Sequence, residues 1–191
     1  LIQDTANFIN QMHTAHRYAK EHDALITLGL KPHRPDTGYG YIQFDETQVS
    51  PGINKVKTFT EKPPMELAEK FLESGDFLWN SGMFVWSIPS ILKALNDHLP
   101  EMNLTFSEGK GAYNTTIEAS HIERIYTEIG SISIDNGLLE KADNVYVLPS
   151  DFGWSDLGTW KSVHEKIATG EINTVLNATL HATNSSNNLV I

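Results

Sequence analysis

Apolar positions recur every three or four residues between 3 and 22. Phe8, Ile9, Met12, Ala15 and Ala19 are separated by polar residues, and this spacing predicts an amphipathic helix that Asp4 or Thr5 can cap. From Ala24 to Leu30 the chain is apolar without a period and is bounded by Gly29 and the Pro32/Pro35 pair. That is the pattern of a buried strand running into a loop. Strand-like runs follow at Tyr39 to Phe44 and Lys55 to Thr60, then a helix from Pro64 to Ser74 with proline in its first turn and Gly75 after its end. Met83 to Trp86 reads as another buried strand, and Pro89 opens a helix whose Ile91, Leu92 and Leu95 face inward.

Residues 103 to 113 read as a polar loop, Thr116 to Ile129 as a helix, Val145 to Leu148 as a strand and Gly158 to Ile167 as a closing helix. Beyond Gly170 the chain shifts to Asn, Thr, Ser and Val with weak alternation, which predicts a β-rich element. Helices alternating with buried strands imply α/β layering. The expected division is a domain over 1–168 and a β-rich segment over 169–191.

Composition narrows the function. With 191 residues, 40% of them hydrophobic, the chain can bury a core of one or two domains. A formal charge of -10, with Arg17, Arg34 and Arg124 as the arginines, repels a phosphodiester backbone, so nucleic-acid binding is not expected. No apolar stretch reaches the roughly 18 residues of a membrane helix, and membrane association is not expected. Zero cysteines exclude disulfides and thiolate metal sites and lean towards a cytoplasmic address.

Four segments carry candidate chemistry. In TGYGYI, Thr37 to Ile42, two glycines flank an aromatic; this is either a hairpin turn or a place where backbone approaches a ligand closely. FTEKP, Phe59 to Pro63, sends a carboxylate and an ammonium off a strand end together. A sugar phosphate wants that pair, because a carboxylate accepts from hydroxyls while a lysine neutralises phosphate; the bland alternative is a solvated surface pair. WNSGMF, Trp79 to Phe84, sets Asn80 among aromatics, where its amide must find partners in a turn or in a ligand. GWSDLGTW, Gly153 to Trp160, presents Asp156 either as the N-cap of the closing helix or as a ligand to a hard cation. His13 and His16 imitate a metal pair one helical turn apart, but their helix is rich in polar residues and surface histidines explain them.

Taken in order, PDTGYGYI, FTEKP, WNSGMF, SID and GWSDLGTW resemble the sugar-1-phosphate nucleotidyltransferases, and within them the mannose-1-phosphate guanylyltransferases, over roughly residues 1 to 165. The resemblance implies a Rossmann-like layered sheet, followed by a β-rich element for which a left-handed β-helix is one form. It also implies that GTP and mannose 1-phosphate yield GDP-mannose and pyrophosphate. Gly40 would offer its backbone to the sugar, Glu61 and Asn80 would bind hydroxyls, and Lys62 would contact the sugar phosphate. Asp156 would be one of two aspartates holding Mg²⁺, so that Lys62 and Asp156 are the catalytic candidates.

The second aspartate and the glycine-rich phosphate loop of that family would precede Leu1. The 191 residues alone are therefore expected to be inactive and to be part of a longer chain. Departures are small: Asp36 stands where the family has Glu, and Asn136-Gly137 replaces a bulkier pair after Ser133-Ile134-Asp135. Asp135 is read as a structural cap in preference to a place near the site. Two other classes compete, a non-catalytic sugar-nucleotide-binding or assembly module and a glycoside hydrolase using Glu61 with Asp156. A homo-oligomer is left open.

Overall fold

A computed structural model describes residues 1–168 and 172–191. It divides into two compact units, one of residues 6–151 and one of residues 1–5 with 152–191.

The larger unit is a mixed α/β structure. Its strands are β1 (Leu25–Leu30), β2 (Tyr41–Ser50), β3 (Ile53–Thr60), β4 (Phe77–Trp86) and β5 (Val145–Ser150). They are ordered β1-β4-β2-β3-β5, and β5 returns to pair with β1. Only β1 with β5 runs parallel; the other pairs are antiparallel. β1 is buried along its whole length, as its unbroken apolar run demands.

Helices α1 (Thr5–Glu21), α2 (Met65–Ser74), α3 (Ile88–His98), α4 (Pro100–Glu108) and α5 (Glu118–Glu128) accompany the sheet. In α1 the buried residues are Ala15, Tyr18 and Ala19, whereas Ile9 is exposed. Ser87 caps α3 by accepting from Ser90 N, and Pro89 sits in its first turn. Ile91 and Leu95 pack with Ala94 against the core of Leu25, Ile42, Leu78 and Val147, while Leu92 points outward.

The expected polar loop at 103–113 is half helix. Pro100 and Glu101 favour a helix start, but α4 buries none of its residues, so no apolar stripe marks it in the sequence. β4 begins at Phe77 rather than Met83, because Asn80-Ser81-Gly82 interrupts the apolar run without ending the strand. A π-helical turn at Asp135–Leu139 was also unmarked; it buries Gly137, Leu138 and Leu139, and the two leucines join the core.

In the smaller unit, backbone of residues 1–4 bonds to Phe152 and Ser155. Helix α6 spans Trp160–Ile167, and β6 (Thr174–Val175) pairs in parallel with β7 (Leu189–Val190). The first three residues of the expected β-rich segment, 169–171, lie outside the described residues.

Candidate active site

Register gathers the sugar-site candidates. Tyr41 pairs with Thr60 on β3 and with Trp79 on β4, both antiparallel. The residues one step beyond, Gly40, Glu61 and Asn80, therefore form a row across three strands at one end of the sheet. Asn80 N donates to Gly40 O at 2.7 Å. A Cβ on Gly40 would lie 2.6 Å from Glu61 Oε2 and 3.3 Å from Asn80 Cβ, so the missing side chain is what lets the row close up.

Asn80 lies inside β4 at a bulge, not at a strand end. Between Thr27 and Gly29 on β1 the pairing advances from Phe84 to Asn80 on β4, so extra residues crowd onto β4. Gly82 takes a positive φ of 72° there and turns its N–H back onto Asn80 Oδ1 at 3.2 Å. Thr27 Oγ1 donates to the same oxygen at 2.7 Å, and Asn80 Nδ2 donates to Asp135 Oδ1 at 3.0 Å.

At the end of β3, Lys62 Nζ meets Glu61 Oε1 at 2.5 Å. The Glu61 side chain is 12% exposed and that of Lys62 62%, so the carboxylate sits in the recess and the ammonium reaches solvent. Lys62 holds a left-handed φ of 46°, a conformation that costs a lysine about 1 kcal/mol. Glu140 supports the turn by accepting from Glu61 N at 3.0 Å, and its other oxygen accepts from Asn136 Nδ2 at 3.1 Å.

The electrostatics follow from this crowding. The hydrogen bond and then the charge of Glu61 hold the Lys62 ammonium above the ordinary lysine value, with Asp135 adding to the effect. Burial first, and then the Glu61 charge, push the Asp135 carboxyl above the ordinary carboxylate value. Asp135 does not cap its turn, since Ser133 Oγ accepts from Asn136 N at 3.2 Å. Its side chain bonds Asn80 instead, which corrects the expectation of a cap.

Asp156 belongs to the smaller unit and is exposed. It is not the N-cap of α6. Thr159 is, through a capping box in which Ser162 N donates to Thr159 Oγ1 and Thr159 N donates to Ser162 Oγ, each at 3.1 Å. Loop residues around Asp156 curl tightly, with φ of 65° at Gly153 and 53° at Leu157.

Gly40, Glu61, Lys62 and Asn80 are thus brought together in the larger unit, joined by Thr27, Asp135 and Glu140. The SID triplet already pointed to Asp135; nothing in the sequence singles out Thr27 or Glu140, whose roles arise from a bulge and a turn contact.

Residues 2–171 match the family model described as nucleotidyl transferase. The chain belongs to that family. It is 37% identical over 171 residues to a mannose-1-phosphate guanylyltransferase of Sinorhizobium fredii, which covers 87% of this chain and 33% of the relative. A protein of the same name from Escherichia coli K12 is 33% identical over 86% of this chain and 35% of its own length. The chain therefore spans about a third of these relatives. Among solved structures, one titled mannose-1-phosphate geranyltransferase from Thermus thermophilus superposes with a TM-score of 0.79 at 27% identity, covering 92% of this chain and 50% of that one. One titled mannose-6-phosphate isomerase from Helicobacter pylori gives 0.71 at 27% identity, over 82% and 61%.

Proposed function

We propose that this chain supplies the sugar-phosphate half of an enzyme that forms GDP-mannose and pyrophosphate from GTP and mannose 1-phosphate. The observation that carries the reading is the row of Gly40, Glu61 and Asn80 with Lys62 beside it. It sets a close backbone approach, a hydroxyl-accepting carboxylate and an amide within one recess, with a phosphate-neutralising ammonium at its solvent side. The names of the relatives support mannose 1-phosphate as substrate and guanylyl transfer as the reaction.

In this reaction a phosphate oxygen of mannose 1-phosphate attacks the α-phosphorus of GTP and pyrophosphate departs. A phosphomonoester has a second pKa of about 6, so the nucleophile is already ionised at neutral pH and needs no general base. Accordingly none of the four motifs contains histidine. Positioning and charge neutralisation are the work left to the protein. Glu61 and Asn80 hold the hydroxyls, Gly40 admits the ring close to the backbone, and Lys62 balances the phosphate.

Mg²⁺ fits Asp156. Its carboxylate is exposed, and Mg²⁺ takes one or two carboxylates with water and phosphate oxygens completing the shell. No cluster of three or more His, Cys, Asp or Glu suited to a metal occurs among the described residues. Bound there, the ion would neutralise charge on the transferring phosphates. The parallel pairing of β6 with β7 supports reading 169–191 as the start of a β-rich element of the β-helical kind, following a nucleotidyltransferase domain over 1–168. No helix among the described residues is long and apolar enough to cross a membrane.

Calorimetric titration with mannose 1-phosphate tests the reading. Saturable binding is expected, weakened about tenfold or more by Lys62→Met, which removes the ammonium but keeps much of the side-chain length. A wild-type protein that binds no sugar phosphate would overturn it.

A further inference from the structure

The hydrogen-bond inventory of Asn80 constrains what its ligand can be. A carboxamide has an oxygen with two lone pairs and a nitrogen with two N–H groups. Gly82 N and Thr27 Oγ1 both donate to Asn80 Oδ1, which uses the oxygen completely. A backbone N–H cannot accept, so Gly82 also fixes which way the amide faces. Asn80 Nδ2 then donates once to Asp135 Oδ1. One N–H remains. Asn80 can donate a single bond to a ligand and can accept none.

A hydroxyl that accepts from Asn80 must place its own proton elsewhere, because an unsatisfied donor in a buried recess is costly. Two carboxylates flank the amide. Glu61 has Oε1 in the ion pair with Lys62 and turns Oε2 towards Gly40. Asp135 accepts from Asn80 Nδ2 at Oδ1 and from its own backbone N–H, and a carboxylate with about four lone-pair sites keeps room for a further donor. Half-buried, and relieved of capping by Ser133, Asp135 faces the same recess as Asn80 with acceptor capacity to spare. A cation is a poor match for the pair, since the Lys62 ammonium already lies against Glu61.

Resting on the sugar-phosphate reading above, we propose that Asp135 is a further specificity-determining residue that accepts a hydrogen bond from a sugar hydroxyl. The ligand class is a sugar phosphate with adjacent hydroxyls. One hydroxyl accepts from the spare N–H of Asn80 and donates to Asp135, and its neighbour donates to Glu61. Two carboxylates on either side of one amide read the relative configuration of the two hydroxyls, which distinguishes epimers.

Binding of mannose 1-phosphate and its 2-, 3- and 4-deoxy analogues to the wild type and to Asp135→Asn tests this. One deoxy analogue should bind the wild type about tenfold or more weakly than the parent sugar, yet bind Asp135→Asn nearly as well as the parent does. The penalty for the other analogues should be unchanged by the substitution. If Asp135→Asn weakens the parent and all three analogues by one common factor, or leaves the parent unaffected, the proposal fails while the sugar-phosphate reading stands. A wild type that binds no sugar phosphate overturns both. A measurement on the wild type avoids any folding defect of the variant: the ¹³C carboxyl resonance of Asp135 should move on adding mannose 1-phosphate and stay in place with the discriminating deoxy analogue. An unmoved resonance under saturating mannose 1-phosphate would also sink the proposal.

Discussion

Thr27 on β1 and Asn80 on β4 are joined by a 2.7 Å hydrogen bond at the one place where those strands lose register. Thr27 is fully buried, so its hydroxyl serves the amide and nothing else of comparable strength; Met83 O lies at 3.4 Å. Thr27→Val keeps the shape and removes the donor, leaving Asn80 Oδ1 with Gly82 N alone. Stability should fall by about 1 kcal/mol, read as a shift of the denaturant midpoint at unchanged slope. Mannose 1-phosphate affinity should fall with it, by a few-fold.

Gly40→Ala separates fold from function. The new Cβ would meet Glu61 Oε2 at 2.6 Å, and a carboxylate at the end of a flexible side chain can move aside. Asn80 Cβ at 3.3 Å and Phe59 Cε1 at 3.4 Å need give only slightly. Stability should therefore change by less than about 1 kcal/mol, whereas sugar-phosphate affinity drops about tenfold because Glu61 has left its place. Parallel thermal melts and titrations check it; a large loss of stability with intact binding would contradict the close-approach role.

Asp135 gives the protein a pH signature of unusual sign. Its folded carboxyl is raised above the ordinary 3.8, so the folded state binds more protons there than the unfolded chain does. Stability from this group is present at low pH and declines as pH rises from 3.8 through the raised folded value. Asp23, Asp45 and Asp76 are shifted down from the same 3.8, and their contribution is lost as pH falls below it. The windows do not overlap. The stability of Asp135→Asn relative to wild type should thus be flat below that pH and rise above it, measured by urea unfolding across pH 3 to 7.

Asp156 and Thr159 lie three residues apart and should fail differently. Thr159→Ala removes the capping box of α6 and should cost about 1 kcal/mol of stability. Asp156→Asn should leave stability within about 0.5 kcal/mol. In the complete enzyme the same Asp156→Asn change should lower turnover roughly a thousandfold, the equivalent of about 4 kcal/mol of lost charge stabilisation. Near-normal turnover at saturating Mg²⁺ would remove Asp156 from the metal site.

Sequence periodicity alone located the helices and strands with strong apolar patterns, α1, β1, α2 and α3 among them, because burial of one face leaves a readable period. Motif order likewise pointed to Gly40, Glu61, Lys62, Asn80 and Asp156, through the resemblance of the motifs to a known family; residue type alone left each of them a bland alternative. α4 stayed hidden because it buries nothing, and the π-helical turn because five residues carry no period. Only the tertiary structure decided that Thr27 orients Asn80, that Asp135 serves the amide and not its own turn, and that Thr159 takes the cap that was one of two readings of Asp156. Those roles depend on a strand bulge, a pairing register and which of several nearby oxygens a given N–H can reach. The Thr27–Asn80 and Asn80–Asp135 bonds join residues 53 and 55 positions apart, and no local pattern in the chain encodes them.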